Sequence, residues 1–139
     1  MKGRRFFTVL TVVLAVTLFT TFAFGQVNPK AGKNSTNKAI DSVAQVVESL
    51  QSEVLAESGL DGNSPPVCEE KLGMYQNALN SLGSAATYVG MAYDAYAAFL
   101  KTKNTAYLIS VYQYVSLAWA EVSNASTWIA QARDYSCPA

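Results

Sequence analysis

CEEKLGMYQNALNSLGSAATYVGMAYDAYAAFLKTKNTAYLISVYQYVSLAWAEVSNASTWIAQARDYSC, residues 68–137, is the stretch that decides the fold. It holds both cysteines of the chain, Cys68 and Cys137. Between them lie two long apolar patterns joined by the basic turn Lys101-Thr102-Lys103-Asn104. Leu72, Tyr75, Leu79, Leu82, Ala86, Val89, Tyr93, Tyr96 and Leu100 recur at alternating spacings of three and four, as do Leu108, Val111, Val115, Ala118, Val122, Ala125, Ile129 and Ala132. That period marks one apolar stripe on each of two helices and suits left-handed, nearly antiparallel packing. Each cysteine sits 34.5 residues from the centre of the turn, at 102.5. Antiparallel helices of equal length therefore bring the two sulfurs together at the far end, and a disulfide-closed helical hairpin is expected. Closing a loop of about 70 residues contributes roughly 4 kcal/mol in the chain-entropy model.

Working outward, Ile40, Val43, Val47, Leu50 and Val54 repeat the same pattern. This predicts an earlier helix starting at Ser35, Thr36 or Asn37, any of which can cap a helix. Gly59 reads as its left-handed terminator, with Leu60 placed for the accompanying apolar contact. Asp61 to Pro66 is turn chemistry. Asp61 and Asn63 share a spacing with calcium-loop ligands, but the remaining ligands are missing and a plain turn is expected. Ser64 followed by Pro65 fits a cap with proline in the first helical position. The fold expected is all-α, an antiparallel three-helix bundle with helices at roughly 36–58, 66–101 and 104–135.

The chain opens Met-Lys-Gly-Arg-Arg, then runs from Phe6 to Phe24 without a charge, and Ala23-Phe24-Gly25 supplies a small-residue cleavage site before Gln26. This predicts a signal peptide over 1–25, a flexible arm over 26–34 and the bundle over 35–139, with an uncleaved membrane anchor as the alternative for the first segment. A secreted or periplasmic location follows, and it suits one disulfide. Asn34-Ser35-Thr36 and Asn124-Ala125-Ser126 match the glycosylation acceptor pattern, which matters only in a eukaryotic secretory pathway.

Composition narrows the function classes. The 139 residues contain no histidine, ten basic and ten acidic groups. Losing residues 1–25 removes Lys2, Arg4 and Arg5 but no acid, leaving a net charge of −3. That balance argues against nucleic-acid binding, which needs cations against phosphate. The missing histidine removes the commonest general base and metal ligand. Glu69 and Glu70 are adjacent, on different helix faces, and do not make an acid–base pair. Asp94 and Glu121 read as ordinary carboxylates, the serines have no histidine to activate them, and Met74 and Met91 read as gap fillers. No enzyme activity, cofactor or metal is expected.

The unequal helix lengths carry the functional expectation. A first helix of about 23 residues, roughly 35 Å, runs beside a second of about 36, roughly 54 Å. Packed from the cysteine end, it should end near Val89 or Gly90. Beyond that level the chain is at its most apolar, with Asp94 the lone charge from Tyr88 to Leu100 and none from Ala106 to Ala120. Tyr88, Tyr93, Tyr96, Phe99, Tyr107 and Tyr112 are therefore the candidate contact residues. Aromatic enrichment with few charges suits an interface core. Cover by the 26–34 arm, or ordinary exposure of Ala and Tyr, is the plain reading of this surface, and the functional role expected is a protein-binding module, through a partner or self-association. A membrane-active helical hairpin is the alternative, although each arm is shorter than a full span of about 20 residues.

Overall fold

The computed structural model of the chain describes residues 35–63 and 65–138. Three helices pack together: α1, Ser35–Ser58; α2, Glu69–Thr102; and α3, Ala106–Asp134. The expected signal peptide, the arm, the acceptor Asn34 and the Ser64 cap lie outside the described residues.

The stripes read from the sequence are the ones that are buried. Ile40, Val43, Val47 and Val54 from α1, Leu79, Leu82, Ala86 and Val89 from α2, and Val111, Ala118 and Ala125 from α3 are inaccessible to solvent. Alanines at 78, 85 and 92 are equally buried, so α2 approaches its neighbours closely along this line. At about 25 cal/mol per Å², burying this apolar surface is the main stabilising contribution.

Cys68 and Cys137 are disulfide-bonded, with Cα atoms 5.9 Å apart, joining the start of α2 to the end of α3. At the other end the hairpin turns at Lys103, whose backbone is left-handed at φ 61° and whose N–H donates to Phe99 O at 2.7 Å. Neighbouring side chains complete the turn: Thr102 Oγ1 donates to Ala98 O, and Asn104 Oδ1 accepts from Ala106 N–H.

The α1–α2 connection departs from expectation. Residues 65–68 are not helical, and α2 begins at Glu69. Pro65 precedes another proline, which disfavours the helical backbone at Pro65 itself. Cys68 is extended at ψ 161° and acts as the N-cap residue without a side-chain cap bond. Glu69 and Glu70 do occupy the first turn, where negative charge is favoured. Asp61 spends one carboxylate oxygen on Asn63 N–H at 3.0 Å, a local turn.

Gly59 ends α1 as expected, at φ +79°. A Cβ there would lie 2.7 Å from Pro65 O and 2.9 Å from Pro66 Cα, so both backbone conformation and space require glycine. Gly59→Ala should lower stability by about 2 kcal/mol or more, measured by urea denaturation. Replacing Cys68 and Cys137 together by alanine should cost about 3–4 kcal/mol in the same assay, because the denatured chain regains the freedom of a loop of about 70 residues.

Candidate interaction surface

Each stripe carries its polar fittings where α1 meets the hairpin. At the cysteine end Arg133 grips Glu57 with both prongs, Nε to Oε1 and Nη2 to Oε2, each at 2.7 Å, with Glu53 at 3.5 Å. The Arg133 bond holds the Glu57 carboxyl below its ordinary range, against a smaller opposing effect of burial. These side chains are half exposed, and the pair sets register more than it adds stability.

At the turn end the fittings belong to Asp41. Tyr93 O–H donates to Asp41 Oδ1, and Asn37 Nδ2 donates to Oδ2 at 3.0 Å. Asn37 is 2% exposed, so this bond satisfies a buried amide. Burial first, and then the bond to Asp41, pushes the Tyr93 phenol far above the ordinary tyrosine range. Thr36 Oγ1 lies 3.3 Å from Tyr112 Oη. Thus α1 engages α2 at Tyr93 and α3 at Tyr112. It reaches past the Val89 level at which it was expected to end.

Two of the six candidate contact residues are buried instead. Tyr93 is 7% exposed and Tyr96 is 4% exposed, and both belong to the core. Both are stripe positions of α2, so the helix period turns them inward whatever lies beyond α1. The Tyr96 ring stacks against Phe99 with centroids 6.4 Å apart. Tyr88 and Phe99 are half-buried and pack against the core from its edge. Lys103 Nζ sits 5.9 Å from the Phe99 ring centroid. Tyr107 and Tyr112 are exposed, at 38% and 51%.

Five exposed apolar residues lie outside the expected set: Met91, Leu100, Ile109, Leu117 and Trp119. Ile109, Leu117 and Trp119 were legible, because none falls on the α3 stripe and an off-stripe residue faces out. Among the described residues, all seven large apolar side chains that are exposed fall between Met91 and Trp119. The cysteine half has none of them, so the surface is divided between two unlike halves. Charge is less sharply divided: Lys38, Lys101, Lys103 and Asp94 are exposed in the turn half, whereas Glu53, Asp61, Glu69, Glu70, Asp134 and Arg133 are exposed near the cysteine end, which is the more acidic.

The hairpin also has two unlike sides. Tyr112 faces α1, and Glu121, nine residues or two and a half turns later, lies on the opposite flank of α3. Tyr107, Tyr114 and Trp128 share that flank with Glu121 at seven-residue intervals. On α2, Phe99 is turned about 120° from Tyr93, away from α1. Tyr88, Phe99, Tyr114 and Trp128 are half-buried on this uncovered side, each keeping part of its ring in solvent.

No set of three or more acidic or cysteine side chains that could hold a metal ion occurs among the described residues. Asp94 is exposed, and half-buried Glu121 accepts from Asn124 Nδ2 at 3.4 Å.

Tyr93→Phe should lower stability by about 1.5–3 kcal/mol at pH 7, since it removes a bond to a charged group. The folded-state pKa of Tyr93 lies above its unfolded value of about 10. Its contribution is therefore complete below pH 10 and is lost as pH rises further. The gap between the native chain and the variant in urea denaturation should shrink above pH 10. A search of family models, curated proteins and solved structures finds no match to the chain.

Proposed function

We propose that the chain is a secreted or periplasmic, non-enzymatic helical binding module that contacts a protein partner through the turn half of its hairpin. The observation that carries this reading is the confinement of all seven exposed large apolar side chains to residues 91–119. Scattered exposed apolar residues are ordinary, but their concentration in one region marks an interaction surface. The charge-free run from Ala106 to Ala120 supports the same reading, because interface cores are depleted of charge. The intramolecular disulfide supports an oxidising compartment.

A membrane-active hairpin is the second reading. It is favoured by the lysines at the apolar end, an arrangement that suits an anionic lipid surface. No described helix is long and apolar enough to cross a membrane, so this reading means contact at the surface.

A photoreactive residue placed at Ile109, and in a second variant at Asn77 near the cysteine end, separates these readings. Ile109 should yield protein adducts in the native compartment, and Asn77 should not. Equal yields from both positions would count against the binding surface, and lipid adducts alone would favour the membrane reading.

A further inference from the structure

We propose that the uncovered side of the hairpin binds a second copy of this chain, with the two α3 helices antiparallel and a two-fold axis perpendicular to them. The inference rests on the reading of the turn half as a contact surface and names its partner. Charge supplies the argument. The run from Ala106 to Ala120 carries none, so two copies of it meet without repulsion. It is bracketed by opposite signs, with Lys101 and Lys103 before it and Glu121 after it.

Lys103 and Glu121 lie on the same side of the hairpin, the side α1 leaves uncovered. Lys103 is over Phe99, and Glu121 is on the flank of α3 opposite Tyr112. Within one copy Lys103 lies in the turn before α3 and Glu121 lies 15 residues, about 22 Å, beyond the start of that helix at Ala106, so the two are not paired with each other. Face-to-face packing of two hairpins has two symmetric solutions. A two-fold axis along the bundle sets the basic tips of both copies together. The perpendicular axis reverses one copy and brings each Lys103 to the other's Glu121.

That single register also matches the side chains between the charges. Setting Tyr107 opposite Leu117 sets Ser110 opposite Tyr114 and carries Glu121 past the start of the other copy's α3, level with the turn that holds Lys103. All four lie on the uncovered flank, with an aromatic ring facing an aliphatic chain in one pair and a small residue in the other. Tyr107 and Leu117 are exposed at 38% and 44%, and Ser110 and Tyr114 are half-buried. A standard interface buries about 800 Å² per partner. The helical overlap of about 22 Å is short for that area, so the dimer is weak, with a dissociation constant on the order of micromolar to tens of micromolar.

Sedimentation equilibrium of the purified chain, with circular dichroism confirming that each variant folds, tests the pairing. Lys103→Glu and Glu121→Lys should each weaken the dimer about five- to tenfold. Combining them should restore it to within about twofold, because only contact between copies brings these positions together. Leu117→Asp should also weaken it. A strictly monomeric chain at about 1 mM overturns the proposal, whether residues 26–34, lipid or another protein takes this side. A dimer indifferent to the charge reversals overturns it as well. Because adduct formation at Ile109 is a separate measurement, a monomer that still cross-links another protein there sinks self-pairing and leaves the binding surface standing.

Discussion

The Cys68–Cys137 bond is the constraint on which the other features depend. It joins the two ends of a hairpin whose arms are equal in residues from the turn, and so constrains the relative register of α2 and α3. Within that register, the alanine line of α2 and the valines of α3 are both buried in one core. A helix pair alone leaves half of each helix facing water, and α1 covers only one of the two sides. The third helix therefore creates the asymmetry of the molecule as much as it completes the core.

How far that cover extends is set by polar bonds as well as by apolar area. Glu57 and Arg133 hold one end of α1 to α3, and Thr36 and Tyr112 come together at the other, in both cases between residues 76 apart in sequence. A constant offset over that distance means that α1 runs parallel to α3 in one register. Asp41, held by Asn37 and Tyr93, ties the same segment to α2. These bonds draw the turn end of α1 over Tyr93. Tyr112 keeps 51% of its surface exposed even where Thr36 touches it, and Tyr88, Phe99 and Tyr114 stay half-buried on the side that α1 does not cover.

The architecture was legible because its determinants are periodic or symmetric. The three stripes, the equidistant cysteines and the glycine stop after Ser58 each have one physical reading, and together they specify the bundle. The start of α2 was less legible: Ser64-Pro65 resembles a helix start, and the second proline at 66 cancels that signal by disfavouring a helical Pro65. The exposed apolar region was only partly legible. Its placement in the turn half agrees with the expectation from helix lengths, but aromatic composition also points to Tyr93 and Tyr96, whose positions in the α2 stripe turn them inward. Ile109 and Leu117 fall outside the candidate set for the complementary reason, since they are off-stripe residues in a segment already counted as apolar. The phase of a residue on its helix was thus the better guide than the character of its side chain.

That rule also explains why the exposed apolar residues do not simply signal a poorly covered core. An incomplete core exposes its stripe, yet among the stripe positions of α2 and α3 only Leu100, at the last turn of its helix, is a large exposed side chain. The other six exposed residues lie off the stripe, at positions that the helix period directs outward even in a fully packed bundle. Water at such positions ordinarily favours charged and polar residues, as in the cysteine half, where Glu53, Glu69, Glu70 and Asp134 occupy them. Fold stability therefore does not account for apolar side chains placed outward in one half and charged ones in the other. A second body of low polarity at the turn half, as proposed above, would account for it, and the lysines and Glu121 that bracket the charge-free run would orient it.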